Sequence, residues 1–582
     1  MNNSRSFLLL ALLFVGYLIW NQWQQDYAHP APAADAPVAS APVAGAANDT
    51  PTAPAMPAGS AVPAVPASAA APASSAALVH VRTDVLDLAI DPHGGSIVRA
   101  ELLAYPQQPK QFDRPVRLLD DAGPSYFVAQ SGLVSNTGKA PDHQAEFSAE
   151  QTRYELAAGQ DQIQVPLTWT DAASGLSVRK LYTLRRGSYV VEERQEIDNQ
   201  GTDAWSGNAY RQLQRVQPVI PNTGFFSFNN PERYSFVGAA WYSPESKFKK
   251  LRFDKFAGEA LNASFKDGWA AMLQHYFFAA WIPAAGETDQ YATAIVTANP
   301  ARYLIRTLGR DQYATAIVTA NPARYLIRTL GPAITIAPGA SASSSARLYV
   351  GPKLQSTVDQ IAPGLSLTAD YGVLTFIAEP LHWVLSKIHA LVGNWGFVII
   401  LLVLLIKALM FKLTEAQFRS MAKMRKLQPR VQALKDRYGE DRQKMNQAML
   451  ERYQKEKINP LGGCLPMLIQ MPVFFALYWV LLESVELRQA PFVGWLQNPS
   501  APDPYFVLPL LNGATMIVTQ YLTPTTGMDP MQARMMKIMP VMFAVMFAFF
   551  PAGLVLYWTV NGMTSLLQQW IITKRIEAGE KA

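Results

Sequence analysis

Cysteine is almost absent from this chain of 582 residues, in which Cys464 is the only one. A single thiol excludes a disulfide within the chain and leaves too few ligands for a zinc or iron–sulfur site. Cys464 stands at the start of an apolar run, so we interpret it as a packing residue and not as a nucleophile. His382 and His389 have no third ligand nearby in the sequence. We therefore expect neither a metal site nor another cofactor.

Motifs for energy coupling and covalent catalysis are also missing. The sequence has no Walker A loop and no series of paired intramembrane acids of the kind that proton pumps carry. A Ser/Lys hydrolase would need a serine beside an activated lysine. The candidate lysine is Lys407, which lies inside an apolar run, and no serine is close to it in sequence. We predict that the protein is not an enzyme.

The first part of the chain divides into an apolar segment and a linker. Arg5 precedes an apolar run from Phe7 to Trp20, which fits either a cleaved signal peptide or an uncleaved anchor. Aromatic residues after the run favour a transmembrane anchor at residues 1–27. Residues 28–78 are rich in Ala and Pro and predict an extended linker, because such a composition cannot form a core.

Short stretches with apolar residues at every second position dominate residues 79–354. SGLSVRKLYTL and SYVVEERQEI are two of them, and VRTDVLDLAI is a third. This spacing predicts half-buried strands and hence a large β-sandwich. The segment DQYATAIVTANPARYLIRTLG occurs twice without a difference, at 289–309 and 311–331. Each copy predicts a strand, an Asn-Pro turn and a strand, so we expect an extra hairpin at a sheet edge or in a loop.

Long apolar runs replace this pattern after residue 375. Residues 376–395 predict an amphipathic interfacial helix with Leu381, Leu385, Ile388 and Val392 on its apolar stripe. Five membrane spans are predicted to follow, at 396–413, 461–482, 505–522, 538–550 and 554–572. Residues 414–460 predict a basic helical hairpin between the first two of these spans, and residues 573–582 form a tail.

The distribution of basic residues predicts the topology. Arginine and lysine concentrate in residues 414–460, so the positive-inside rule places this hairpin and both chain ends in the cytoplasm and the β-domain outside it. The hairpin is either a solvated determinant of topology or a docking surface for incoming chains, anionic lipid or ribosomal RNA. The candidate docking residues are Arg419, Lys423, Arg425, Lys426 and Arg430.

Lys407 lies inside the span GFVIILLVLLIKALMFKL, where a charge is costly. It either snorkels to the membrane surface or faces a hydrated groove, and the other spans offer no Asp or Glu at a comparable depth. They offer neutral polar residues instead, among them Gln470, Asn512, Thr515, Thr559 and Asn561. Methionines in two spans predict core filling or an adaptable apolar surface for client helices. These are Met467, Met471, Met539, Met542 and Met546.

Several motifs occur in an order that resembles a known family. LTEAQFRSMAKMRKLQP, INPLGGCLPMLIQMPVFFALYWVL, SVELRQAPF, DPMQ and FPAGLVLYWTVN resemble the YidC membrane protein insertase family, and TDVLDLAIDPHGG and GPKLQ resemble its Gram-negative periplasmic domain. The resemblance implies a multi-domain integral membrane protein with five core helices, an N-terminal anchor helix, a periplasmic all-β supersandwich and a cytoplasmic helical hairpin. It also implies insertion of newly made proteins into the bacterial inner membrane, with chaperone activity.

The same resemblance implies roles for particular residues and partners. Lys407 occupies the place of a groove cation that is more often arginine in the family, and Gln470 and Tyr557 should line the groove, with Trp558 where a second tyrosine is common. The implied partners are nascent membrane proteins, membrane lipid, the Sec translocon with its accessory subunits, and the ribosome or signal recognition particle pathway. Two rival hypotheses are a small-molecule transporter, which the odd number of core helices argues against, and a sugar-binding or enzymatic role for the β-domain.

Overall fold

The structure is a computed structural model. It describes residues 77–218, 235–296, 302–309, 312–319, 323–419, 465–522 and 530–579, with a few helical residues between 430 and 451. The predicted anchor at 1–27, nearly all of the linker at 28–78 and most of the hairpin at 414–460 lie outside the described residues.

Residues 79–352 of the described chain contain twenty-one strands, as the period-two pattern predicts. They are β1 Val79–Arg82, β2 Leu86–Asp91, β3 Ser96–Pro106, β4 Pro115–Leu119, β5 Phe127–Ser135, β6 Ser148–Ala149, β7 Arg153–Glu155, β8 Gln162–Asp171, β9 Leu176–Arg185, β10 Val190–Asn199, β11 Trp205–Val216, β12 Gly238–Tyr242, β13 Lys249–Arg252, β14 Asn262–Lys266, β15 Trp269–Leu273, β16 Phe277–Pro283, β17 Thr288–Val296, β18 Arg302–Gly309, β19 Gln312–Thr319, β20 Arg324–Ile336 and β21 Ala340–Pro352.

Two large sheets form a sandwich. The first has the order β14-β17-β20-β11-β5-β3-β2-β1-β7, with β4 paired to β3, and the second has the order β13-β12-β15-β16-β21-β10-β9-β8-β6. Buried apolar side chains of both sheets, such as Leu88 and Ile97 from the first and Leu348 from the second, belong to one core. Lys180 in β9 also joins the sheets, because its buried ammonium donates to the carbonyl oxygens of Gly94 and Ser131, each at 2.7 Å.

The duplicated segment contributes to the first sheet from both copies. β17 comes from the first copy and β20 from the second, and these two strands pair with each other. Between them, β18 and β19 pair only with each other, as a separate two-stranded sheet. The sandwich therefore receives one strand from each copy, and the remaining two strands form an additional hairpin with its own two-stranded sheet.

Helices make up the rest of the described chain. They are α1 Gln355–Ile361, α2 Thr375–Val392, α3 Trp395–Leu409, α4 Phe411–Arg419, α5 Leu465–Glu483, α6 Val507–Leu522, α7 Pro530–Phe547 and α8 Ala552–Gly579. Gly393, with φ of 70°, ends α2, and Asn394 starts α3 because its side chain accepts hydrogen bonds from the backbone N–H groups of Gly396 and Phe397.

The helices differ from the predicted spans in length and continuity. Where the sequence predicts a continuous span at 396–413, α3 ends at Leu409 and α4 departs at an angle of 63°. Within the described residues, no single helix combines the length and the hydropathy needed to cross a bilayer. Taken together, α3 and α4 have the required length and hydropathy. Two shorter helical segments are also apolar, Ile469–Glu483 and Lys537–Phe547.

The buried face of α2 overlaps the predicted stripe, because Leu385 is buried and Leu381 and Ile388 are partly buried against the helical core. Ala378, His382 and Leu385 are its buried residues, whereas Val392 is exposed. His382 lies 6.3 Å from the ring of Tyr371, and its Nε2 is 3.9 Å from Glu486. Burial lowers the pKa of His382 to about 4, so this histidine is neutral at physiological pH and packs as part of the core.

Buried polar groups join the β-domain to the end of α5. Lys353 Nζ lies 3.6 Å from Glu483 Oε2, and both side chains are 2% exposed. His275 Nε2 donates to Leu482 O at 2.9 Å, and so provides a partner for a carbonyl at the helix end. Burial lowers the pKa of His275 to about 3, which keeps the ring neutral. Arg488 Nη2 adds a hydrogen bond to Pro106 O at 2.8 Å.

We expect that deletion of residues 302–323 leaves the sandwich folded. The deletion removes β18 and β19 and restores one complete copy of the repeated segment. Shortening a hairpin loop changes closure entropy only slightly, so the free energy of unfolding should change by less than about 1 kcal/mol. Thermal unfolding of the full chain in detergent measures this. Leu326→Ala is the positive control, because Leu326 is buried in β20 and its truncation should lower the thermal midpoint.

We expect Lys353→Met to destabilise the junction by roughly 3–5 kcal/mol, because it leaves the carboxylate of Glu483 buried without its cation. Adding Glu483→Leu should recover most of this loss, since an apolar pair avoids the dehydration of both charges. Thermal unfolding of the two variants tests this. A double variant that is no more stable than Lys353→Met would contradict the interpretation.

Candidate functional site

Polar side chains from three helices meet in the helical region. Tyr557, Asn561 and Ser565 recur at every fourth position of α8, so they lie on one face of that helix. Gln470 of α5 and Lys407 of α3 reach the same face. The sequence predicts four of these five residues, and the spacing on α8 explains why they meet.

Lys407 is the charged member of this group. Its side chain is buried, two residues before the end of α3, and its Nζ donates to Ser565 Oγ at 2.8 Å. No carboxylate among the described residues lies within ion-pair distance of Lys407, and its hydrogen-bond partner there is a neutral hydroxyl. The site therefore holds a positive charge that the described chain does not neutralise.

Amide groups extend the polar contact from α8 to α5. Gln470 Nε2 donates to Asn561 Oδ1 at 2.9 Å and lies 3.3 Å from the hydroxyl of Tyr557. Asn561 and Tyr557 are both buried. The three side chains and the Lys407–Ser565 pair thus form a polar stripe along α8, which we call the α8 stripe: Lys407, Gln470, Tyr557, Asn561 and Ser565.

The other predicted groove residues lie at the contact of α6 with α8. Asn512 and Thr559 are buried there, and the hydroxyls of Thr515 and Thr559 donate to backbone carbonyls of their own helices. Gly562 permits the close approach, because a Cβ at this position would lie 2.8 Å from Thr515 Oγ1. These residues join two helices and do not contact Lys407.

Trp558 has an aromatic environment. Its ring lies 4.9 Å from that of Phe474 and 5.8 Å from that of Phe547, between α5 and α7. Its buried indole N–H has no hydrogen-bond partner among the described residues. Trp558 therefore closes the space beside the α8 stripe without adding a polar group to it.

The segment after α5 closes one end of the helical region. Phe492 packs on Gly396 at the start of α3, and Asn394 Nδ2 donates to Pro491 O at 3.2 Å. The backbone N–H groups of Ala552 and Gly553, at the start of α8, donate to carbonyls of the same segment. Ser565 lies about 20 Å further along α8 at 1.5 Å per residue, so the α8 stripe is displaced from the closed end.

Asp503 fixes the chain where this segment enters α6. Its buried carboxylate accepts from Trp495 Nε1 at 2.9 Å and from the backbone N–H of Leu508 at 2.7 Å. A carboxylate at a helix N-terminus is stabilised by the unpaired N–H groups there.

The predicted methionine surface is largely exposed. Met471, Met539, Met542 and Met546 have exposed side chains, whereas the side chain of Met467 in α5 lies outside the described residues.

Of the basic docking residues, Arg419 contacts Glu415 at 3.1 Å and Arg430 is exposed and helical. Lys423, Arg425 and Lys426 lie outside the described residues.

Ser565 is the site residue that the sequence does not single out. Lys407 and Ser565 are 158 positions apart, so proximity in sequence gives no sign of their contact. The repeat of polar residues at every fourth position of α8 is the available signal. The described residues contain no group of three or more His, Cys, Asp or Glu side chains arranged for a metal.

A two-sheet β-domain attached to a set of apolar helices that enclose a cation is the architecture of a helical membrane protein with a folded domain at its surface. Comparison with known proteins agrees with this class. Residues 78–384 match the family model described as the YidC periplasmic domain, and residues 387–580 match the one described as the 60Kd inner membrane protein. The chain belongs to the YidC family of membrane protein insertases, which confirms the resemblance seen in its motifs.

Known relatives are consistent with this family. A membrane protein insertase YidC of Methylococcus capsulatus is 44% identical over 579 residues, which cover 99% of each chain. Another, from Stutzerimonas stutzeri, is 44% identical over 592 residues that cover all of both chains. A structure described as an active YidC insertase aligns with 86% of this chain and 92% of that one, at 16% identity and a TM-score of 0.37. The family is one of insertases in the bacterial inner membrane, not of enzymes.

We expect Gly562→Ala to weaken the contact of α6 with α8 by about 1–3 kcal/mol, because the added methyl group collides with Thr515. Thr515→Ala in the same chain should recover part of this loss, since it removes the colliding hydroxyl. The midpoint of thermal unfolding in detergent measures both. Equal midpoints for Gly562→Ala and the unaltered chain would argue against the close approach.

Proposed function

We propose that this protein inserts newly made membrane proteins by attracting an acidic client segment to Lys407. The observation that carries the proposal is the buried, unneutralised ammonium of Lys407, whose partner in the described chain is a hydroxyl. A buried cation without a permanent counter-ion is costly unless water or a transient anion approaches it. A client carboxylate supplies that anion during insertion.

The driving force is the transfer of the client's apolar helix into lipid. The side chains of Gln470, Tyr557 and Asn561 lower the cost of dehydrating the client's polar segment, and hydrophobic transfer of the following helix then drives insertion. Exposed methionines on α5 and α7 support this step, because flexible thioether side chains adapt to unrelated helices. The step needs no chemical reaction and no cofactor.

The proposed topology has six spans, with both chain ends and residues 414–460 in the cytoplasm. The closed end formed after α5 then faces the periplasm with the β-domain, and the α8 stripe lies toward the cytoplasm. This orientation follows from the excess of Arg and Lys in residues 414–460. It allows a client to enter from the cytoplasm while the periplasmic side remains closed.

The proposed partners follow from this orientation. Nascent membrane proteins are the clients, membrane lipid receives them, and the basic residues of the cytoplasmic hairpin dock the ribosome or the targeting pathway that delivers them. The protein acts alone or beside the Sec translocon, and assists the folding of the chains it inserts.

Lys407→Glu should lower insertion of a client with an acidic translocated tail by about tenfold or more, because like charges brought together repel strongly. Lys407→Arg should preserve insertion, because arginine keeps the positive charge. Protease protection of the client in proteoliposomes measures both.

The same client with its acidic residues changed to Asn and Gln is the control, and its insertion should be much less sensitive to Lys407→Glu. Normal insertion of the acidic client by Lys407→Glu would remove Lys407 from the mechanism. Photocrosslinkers placed beside Lys407 should capture the client during translation, and their capture of a small solute instead would favour a transporter.

A further inference from the structure

Ser565 makes the hydrogen bond that holds the ammonium of Lys407. Its Oγ accepts from Lys407 Nζ at 2.8 Å and donates to Asn561 O, one turn earlier on α8, at 2.7 Å. A hydroxyl has one proton to donate. Because that proton is directed to the backbone of α8, the lone pairs of Ser565 Oγ are available to the ammonium.

The neighbouring polar groups of α8 are engaged elsewhere. Asn561 Oδ1 accepts from Gln470 Nε2 at 2.9 Å, and the hydroxyl of Thr564 donates to Val560 O at 2.7 Å. Among the described residues, Ser565 is therefore the group that fixes where Lys407 Nζ lies between α3 and α8.

The hydrogen bond to Ser565 leaves donors of the Lys407 ammonium available. A lysine ammonium has three N–H donors, and Ser565 occupies one of them. The hydroxyl stabilises the ammonium without neutralising it, so the charge and the other donors remain available to a client carboxylate. A carboxylate at this position would instead have paired with Lys407 permanently.

We propose that Ser565 is a positioning residue for client recognition, which holds the Lys407 ammonium at the wall of α8 with its remaining donors directed to an acidic client segment. This inference depends on the proposed function of Lys407. It makes Ser565 a determinant of selectivity for clients with acidic tails and gives it no part in insertion of clients without them.

Ser565→Thr and Ser565→Val form the decisive pair of variants, because the two side chains have nearly the same shape and differ in the hydroxyl. In proteoliposomes containing the full chain, Ser565→Val should lower insertion of the acidic-tailed client by about three- to tenfold, which lies within the range expected for the net contribution of one intramolecular hydrogen bond. Ser565→Thr should retain insertion. Both variants should insert the client with the neutralised tail at the rate of the unaltered chain.

Thr564→Ala is the matched control, because it removes a neighbouring hydroxyl that also donates to the backbone of α8. It should leave both clients unaffected. In a Lys407→Gln background, Ser565→Val should cause no further loss. The thermal midpoint of each variant shows whether it is folded, and Ser565→Ala replaces Ser565→Val if the latter is not.

Two results would overturn the inference. One is an equal loss for both clients in Ser565→Val, which indicates a purely structural role, and the other is unchanged insertion of the acidic client by that variant. The proposed function fails separately, if Lys407→Gln itself inserts the acidic client normally.

Discussion

A charged ammonium among apolar helices is stable only where polar groups or water replace the solvent it has lost. The helical region is arranged around that requirement. Polar residues on one face of α8 meet Lys407 and Gln470, and the glycine at position 562 brings α6 against the same helix. The stabilising groups are neutral, so they lower the energy of the cation and leave its charge intact. An acidic residue in place of Ser565 would pair with the ammonium permanently and neutralise its charge.

The buried charges at the junction with the β-domain are neutralised, in contrast to Lys407. Lys353 and Glu483 neutralise each other at the junction of the β-domain and α5, where both are almost fully buried. Such a pair contributes little net stability, but removing one of its two partners strongly destabilises the protein because the other charge stays buried. It therefore fixes the position of the β-domain on the helix end, together with the neutral His275. Lys353 is paired with a carboxylate between the two parts of the protein, whereas Lys407 is bonded to a neutral hydroxyl and, in the proposed function, serves a transient partner.

Local patterns predicted much of the fold, and contacts between distant segments account for the rest. Strict alternation predicted β9 and β10, whose boundaries lie within two residues of the quoted stretches. The stretch 81–90 is instead two strands, because Thr83 Oγ1 accepts from the backbone N–H of Leu86 and turns the chain. Hydropathy likewise gave no sign of the bend after Leu409. The composition of the spans predicted Lys407, Gln470 and Asn561, and the family resemblance added Tyr557. The contact of Ser565 with Lys407 joins helices that are far apart in sequence.

The hairpin of β18 and β19 has a consequence for how this sequence can change over generations. The sandwich uses the first strand of one copy and the second strand of the other, while the inner strands pair only with each other. Loss of the inner strands as a unit would therefore leave the pairing of β17 with β20 in place. The two copies are still identical, so recombination between them could remove or add the inner pair in one event while the sandwich keeps one opening and one closing strand of the repeat.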